Sequence, residues 1–156
     1  EGAQEIYEEG TLGGSSGESE ALAFDVLYRC ELAALIKSET EITYDDDGGK
    51  KTDILVEVDA TRIGVSVTRA YGYPPDDPYT VEDATTLLDK KLGDILLSSE
   101  NVSAEDAWQK QILSIIAYEP EHADSVEAAW AAMDDETRAD TIVYITVTDG
   151  EDEFLY

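Results

Sequence analysis

The chain has 156 residues, of which 37 are Asp or Glu and 10 are Lys or Arg, so its formal net charge at pH 7 is −27. Its length predicts a single domain with a substantial core, and its hydrophobic content of 42% excludes the composition of a disordered polymer. A surface this acidic repels phosphate backbones, which argues against general electrostatic binding of duplex DNA at moderate salt.

Three explanations of the acidity stay open. The first is a halophilic adaptation to a salty cytoplasm, in which high ionic strength screens the repulsion between like charges. The second is an interaction surface that binds a basic protein partner or imitates nucleic acid. The third is solubility alone, whether natural or engineered.

Cysteine usage and hydropathy predict a soluble, cytoplasmic, intracellular protein with no membrane association. Cys30 is the single cysteine, so no internal disulfide can form, and its apolar position in the first predicted helix favours a buried thiol. No apolar run reaches the roughly 18 residues that a bilayer span requires, and no basic segment opens the chain.

The first part of the chain predicts an arm, a helix and a strand. Residues 1–17 mix acids with glycine and serine without a sustained period, which predicts an N-terminal arm. Apolar residues at three- and four-residue steps predict a helix over 18–37, and alternation predicts a strand over 39–44. We expect one domain over 18–148, followed by an acidic tail over 149–156.

Two apolar runs, 51–58 and 63–70, predict a hairpin. Pairing Val58 with Ile63 across a four-residue turn would place Asp53 opposite Thr68. One face of the hairpin would then be apolar and would face the core. The other face would carry polar side chains, namely Asp53, Glu57, Ser66 and Thr68.

Two capping boxes predict helices in the second half of the chain. Prolines predict a loop over 71–79, after which Thr80 and Asp83 cap the first of these helices. Ser103 and Asp106 predict the second, an amphipathic helix whose apolar side carries Trp108, Ile112, Ile115 and Ile116.

A further helix and a strand are predicted near the end of the chain. Pro120 suits the first turn of the helix, where His122 is expected to be exposed and is assigned no role. The near-continuous apolar run over 140–148 predicts a strand that is buried on both faces and paired in parallel.

The order of helix, strand, Asp-headed strand, turn and apolar strand resembles the core of the PD-(D/E)xK nuclease superfamily, the restriction-endonuclease-like fold. The segment Thr52-Asp53-Ile54-Leu55-Val56 is similar to the family's Asp element. The Glu-x-Lys element falls on Ser66-Val67-Thr68, so both of its charged residues are replaced. The resemblance implies an α/β fold of order αβββα(αα)β, with a mixed central sheet flanked by helices.

The resemblance also implies a site for Mg²⁺ or Mn²⁺. Asp53 would be the first ligand, and Glu20 resembles the first-helix Glu that joins the metal in many members of the family. Ser66 and Thr68 would occupy the substituted positions, where neutral hydroxyls are weak ligands for a hard cation. Lys90 or Lys110 would replace the missing strand lysine, which a following helix supplies in some members, and Lys91 forms a basic pair with Lys90 on the same predicted helix.

Two hypotheses for function follow. The first is a degenerate or rearranged PD-(D/E)xK nuclease-like domain that is weakly active or inactive as a metal-dependent phosphodiesterase. The alternative is a non-catalytic, strongly acidic interaction domain on the same scaffold, which binds a basic partner or imitates nucleic acid. The Ser-Val-Thr triplet favours the alternative, whereas the polar face around Asp53 favours the nuclease-like site.

Overall fold

The computed structural model describes residues 2–12, 16–72, 78–152 and 155. Its described residues form a mixed five-stranded sheet with helices on both faces, which confirms the expected α/β class. The elements are α1 Gly2–Glu9, α2 Gly17–Glu31, β1 Ala34–Ser38, β2 Ile54–Val58, β3 Thr61–Ala70, α3 Val81–Asn101, β4 Lys110–Ala117, α4 Pro120–Ala132, α5 Asp135–Arg138 and β5 Thr141–Val147.

The strands lie in chain order across the sheet. β1, β2 and β3 pair antiparallel, and β4 and β5 continue the sheet in parallel with β3. α1 and α2 cover one face through a cluster that includes Ile6, Phe24 and Leu27. α3 and α4 cover the other face through a second cluster that includes Leu88, Leu92 and Val126. None of the described helices is long and apolar enough to cross a bilayer.

The β2–β3 hairpin has the predicted faces but a different register. Val58 pairs with Thr61, not with Ile63. The turn contains only Asp59 and Ala60, whose φ angles of 47° and 61° are those of the two-residue hairpin turn that matches strand twist. Because the register moves by two residues, every side chain keeps its face, and the apolar side still packs against α2.

The helix predicted after Ser103 is wrong, since this segment contains β4. The run from Ile112 to Ala117 is apolar except for Ser114, which is also buried, and β4 is buried on both faces between β3 and β5. Asp106 does not cap a helix. Its carboxylate accepts hydrogen bonds from Thr43 and Lys37, so it holds the segment after β1 against the loop before β4.

The first predicted strand and the end of the first predicted helix are also corrected. α2 ends at Glu31, because Leu32 adopts a left-handed conformation with φ of 57°. The strand at the edge next to β2 is β1, and the segment predicted as a strand makes an isolated bridge between Tyr44 and Val102.

The predicted arm and tail both contribute to the core. α1 lies inside the predicted arm, and its Ile6 is 1% exposed against α2. Eight residues are too few to establish a helical period in the sequence, which explains the error. In the tail, Leu155 is buried in the same cluster.

Three local expectations fail because of packing. β5 is parallel to β4 as predicted, but it is an edge strand of the described sheet, and Ile142 is 47% exposed. Cys30 is exposed near the end of α2. His122 is buried, and its Nδ1 lies 2.9 Å from the carbonyl oxygen of Ala70.

The capping box of Thr80 and Asp83 is confirmed.

Candidate functional site

Asp53 precedes β2 and is tied to β3 at two points. Its backbone N–H donates to the carbonyl oxygen of Val65 at 3.1 Å, and its Oδ2 accepts from the N–H of Val67 at 2.6 Å. Burial raises the pKa of Asp53 to about 6. The Val67 N–H and the positive charge of Lys91 oppose that rise, and the charge of Glu39 adds to it.

Glu20 lies in the first turns of α2 and points away from solvent. It precedes Ala23 and Phe24 by three and four residues, so it shares the helix face that packs on the sheet. Its side chain is 1% exposed, and neither carboxylate oxygen has a hydrogen-bond partner among the described residues. Burial raises the pKa of Glu20 to about 7, and the charge of Asp53 adds to the rise. The nearby Ser16 hydroxyl opposes the rise, although it does not meet hydrogen-bond geometry with either carboxylate oxygen.

A small cleft brings Glu20 and Asp53 together. Its volume is about 220 Å³, and Lys91 and Thr68 also line it. The remaining lining residues are Ser16, Ser19, Val67 and Arg69. The first-helix acid and the strand acid of the sequence hypothesis therefore border one space.

Lys91 is the lysine that borders Asp53, and its charge lowers the pKa of that carboxyl although the two groups form no ion pair. It extends from α3, and its Nζ makes a long hydrogen bond of 3.4 Å to the carbonyl oxygen of Val67. The two lysines proposed from the sequence have other contacts: Lys90 Nζ lies 3.3 Å from Asp94, and Lys110 Nζ lies 3.1 Å from Asp140. Lys110 pairs with Ile63 in the sheet, three residues from Ser66 along β3, so it is not a neighbour of Asp53.

The substituted positions flank Val67 on the polar face of β3. Ser66 is 9% exposed, and its hydroxyl lies 3.4 Å from that of Thr52. Ser66 lines a second, larger cleft of about 570 Å³, which Asp53 and Lys91 also border. Asp53 and Lys91 therefore stand between the two clefts.

The larger cleft includes residues that the sequence reasoning did not propose for the site. They are Lys50, Lys51, Glu39, Asp47, Asp94, Gly49 and Leu12. The lysine pair lies just before Thr52 and Asp53 and was visible in a chain with only 10 basic residues. No sequence pattern indicated that the segment after β1 would fold over the cleft and bring Glu39 and Asp47 to it.

The smaller cleft offers few acidic ligands, but the two it has are enough for a magnesium ion. No group of three or more His, Cys, Asp or Glu side chains is placed to hold a metal ion in the described part of the chain. Magnesium, however, is commonly held by one or two carboxylates, with waters and substrate phosphates as its other ligands. The two unpartnered oxygens of Glu20, beside Asp53, are an uncompensated buried acid that such a cation would neutralise.

Comparisons with known proteins leave the family open. No protein-family model matches the chain. The AAC-rich mRNA clone AAC4 protein of Dictyostelium discoideum is 37% identical over 161 residues, which cover 99% of this chain and 23% of that protein. The chain therefore spans about a quarter of the length of this relative.

A weak structural similarity was found to SfsA of Pyrococcus furiosus, solved in complex with Ca²⁺. The similarity covers 85% of this chain and 56% of SfsA, with 14% sequence identity and a TM-score of 0.36. A similarity of this strength supports no argument about function.

Proposed function

We propose that this domain is a rearranged PD-(D/E)xK-type domain that binds Mg²⁺ or Mn²⁺ at Asp53 and Glu20 and has little or no phosphodiesterase activity. The observation that carries the proposal is the buried, unpartnered carboxylate of Glu20 in the cleft that Asp53 borders. Two acids with raised pKa values in one cleft are costly to folding, and a bound cation would offset that cost.

In this proposal the residues of the cleft have distinct roles. Asp53 and Glu20 would hold the cation, which would supply Lewis-acid stabilisation of phosphate oxygens. Lys91 would hold a positive charge next to them, in place of the missing strand lysine. Asp53 itself is oriented by the N–H of Val67.

Weak or absent activity is expected from the two substituted positions. Ser66 and Thr68 supply neutral hydroxyls where the family has a metal ligand and a cation. Losing one preorganised electrostatic group commonly costs about 10²- to 10³-fold in rate. Lys91 can compensate for one of the two groups, so at least one loss remains.

The metal site can be tested by thermal unfolding with and without Mn²⁺. Mn²⁺ should raise the melting temperature by mass action, and Asp53→Asn and Glu20→Gln should each remove most of that rise. Glu121→Gln is the matched control, because it removes one exposed acid from the first turn of α4. Equal Mn²⁺ shifts in all four proteins would show diffuse binding to an acidic surface and would contradict the proposal.

A cleavage assay tests the proposed loss of activity. Single- and double-stranded DNA should remain intact with Mg²⁺ or Mn²⁺ at both low and high salt. Robust metal-dependent cleavage that disappears in Asp53→Asn would show an active nuclease and would overturn the view that the site is degenerate.

The net charge of −27 favours a second candidate function, an acidic interaction domain that engages a basic protein partner. Binding of a lysine-rich protein should then weaken steeply as salt rises, and it should be unchanged in Asp53→Asn. Affinity that is insensitive to salt would contradict an electrostatic partner of this kind.

A further inference from the structure

The larger cleft beside Asp53 concentrates positive charge in a chain that has little of it. Three of its lining residues are Lys50, Lys51 and Lys91, against the acids Glu39, Asp47, Asp53 and Asp94. The cleft thus has three lysines to four acids, whereas the whole chain has 10 basic residues to 37 acidic ones. The lining therefore has a formal charge of 3 − 4 = −1, so an anion meets less repulsion there than the overall charge of −27 suggests.

Two of the three lysines have no carboxylate partner. Lys50 Nζ lies 2.9 Å from Asp94, which Lys90 also contacts. Lys51 Nζ lies 5.4 Å from the centre of the Tyr44 ring, and Lys91 Nζ is bonded to a backbone carbonyl oxygen. Among the described residues, neither Lys51 nor Lys91 is within ion-pairing distance of an acid.

The acids of the cleft are partly committed elsewhere. Asp94 is neutralised by its two lysines, and their hydrogen bonds outweigh burial and lower its pKa. Glu39 accepts a hydrogen bond from the backbone N–H of Leu12 at 2.8 Å. Asp53 accepts from the N–H of Val67, and the charge of Lys91 acts on it without an ion pair. The ammonium groups of Lys51 and Lys91 therefore remain available for an anionic ligand.

The size of the cleft limits the ligand. About 570 Å³ lies within the usual range for small-molecule sites, roughly 300–1,000 Å³. A specific duplex interface buries roughly 1,000–2,500 Å² of protein and needs several phosphate contacts along its length. The described surface outside the cleft cannot supply them, because its other basic groups are scattered and bonded to acids or carbonyls.

The lining also limits the chemistry. Leu12 is the one large aliphatic side chain that borders the cleft, and it is 55% exposed. Every other lining residue is charged, polar or glycine. Lysine ammonium groups are common ligands of phosphate, to which they act as point charges.

We propose that this cleft binds a small phosphomonoester of about nucleotide size, with its phosphate held between Lys51 and Lys91 beside Asp53, and does not accept a nucleic-acid duplex. The inference rests on the proposed function for the chemistry at Asp53, because a metal there would contact the same phosphate. The two lysines can hold the anion without the metal, so the two proposals can fail separately.

Isothermal titration calorimetry with adenosine 5′-monophosphate, inorganic phosphate and a 20-base-pair DNA duplex tests the cleft. The monophosphate should bind in EDTA, and Lys51→Gln and Lys91→Gln should each weaken it about tenfold, the value of one charge-assisted hydrogen bond. Lys110→Gln is the matched control, since it removes the same charge from the pair with Asp140. It should change the affinity by less than about twofold, and the duplex should not bind.

Three results would overturn the cleft proposal: no binding of either phosphate probe, an equal loss in Lys110→Gln, or a duplex that binds more tightly than the monophosphate. The Mn²⁺ melting shift distinguishes this failure from that of the metal site. A shift that depends on Asp53, without phosphate binding, rejects the cleft proposal alone. Phosphate binding that depends on Lys51 and Lys91, without a specific Mn²⁺ shift, rejects the metal site alone.

Discussion

Gly64 lies directly under the indole ring of Trp108. A Cβ atom on Gly64 would stand 2.8 Å from two atoms of that ring, closer than real Cβ contacts allow. The ring is held in place because its Nε1 donates to the Ser99 hydroxyl at 2.9 Å. The glycine therefore lets the loop before β4 pack on the hairpin that carries Asp53.

Gly64→Ala should destabilise the domain by about 1–3 kcal/mol, because the methyl group overpacks the contact with Trp108. Gly93→Ala is the matched control in α3, where a Cβ meets nothing within 4 Å. It should stabilise the domain by about 0.5–1 kcal/mol through helix propensity. Urea unfolding of both variants measures the difference, and an unchanged stability of Gly64→Ala would contradict the close packing.

Asp106 should be one of the most sensitive polar positions. Its Oδ2 accepts from Lys37 Nζ and from the N–H of Thr43, both at 2.8 Å, and the carboxylate side chain is 3% exposed. Asp106→Ala should cost about 2–4 kcal/mol, because it leaves these donors without their acceptor. Asp25→Ala breaks only the exposed pair with Arg29 and should cost less than about 1 kcal/mol. Similar losses in the two variants would show that Asp106 has no special structural role.

Periodicity was enough to predict the faces of the hairpin, since alternation fixes the side of each residue even when the register is off by two. It was not enough for β4. A short, almost continuous apolar run suits a buried strand or a buried helix equally, and the pairing with β3 and β5 is what makes this segment a strand.

Helix spacing in the sequence distinguishes Lys91, which borders Asp53, from Lys90, which does not. Lys91 follows Leu88 by three residues and precedes Ile95 by four, so it borders the buried stripe of α3. Lys90 has neither spacing and points to solvent. The approach of Glu39 and Asp47 to the cleft depends on the long segment after β1, for which local sequence carries no comparable rule.

Glu20→Gln should stabilise the metal-free domain at pH 8 and change little at pH 5. The folded-state pKa of Glu20 is about 7 against an ordinary 4.5, so the folded state favours the proton. The cost of ionising this buried acid therefore develops as pH rises from 4.5 through 7 and is complete above it. A rise of this size corresponds to on the order of 3 kcal/mol.

Urea unfolding in EDTA at the two pH values measures this effect. Glu121→Gln controls for removing one negative charge from an acidic protein and should show a much smaller difference between pH 8 and pH 5. A Glu20→Gln advantage that is equal at both pH values would contradict the assigned direction of the pKa.

The net charge predicts a strong dependence of stability on salt. Self-repulsion at a charge of −27 should fall as the Debye length shortens from about 10 Å at 0.1 M to about 3 Å at 1 M. The melting temperature should therefore rise markedly between dilute buffer and 1 M KCl. Sucrose at equal osmolality controls for solvent exclusion, and a melting temperature that KCl does not raise beyond sucrose would contradict a halophilic adaptation.

Ser66→Glu should strengthen the proposed metal site at Asp53. Ser66 borders the larger cleft together with Asp53, so a longer side chain has space to extend there. Without metal, the added carboxylate should lower the melting temperature, because it lies beside an acid whose pKa is already raised to about 6. With Mn²⁺, the rise in melting temperature should exceed that of the unmodified protein, since a further carboxylate ligand increases affinity.

Thr61→Glu is the matched control for this change, because it adds the same charge to β3 at the hairpin turn, where Thr61 pairs with Val58. It should leave the Mn²⁺ shift unchanged. Combining Ser66→Glu with Thr68→Lys restores both charged positions of the Glu-x-Lys element, so this double variant is the one expected to gain DNA cleavage. An Mn²⁺ shift in Ser66→Glu no larger than in Thr61→Glu would mean that Asp53 and position 66 do not share a cation. It would contradict the proposal that Ser66 occupies a former metal-ligand position.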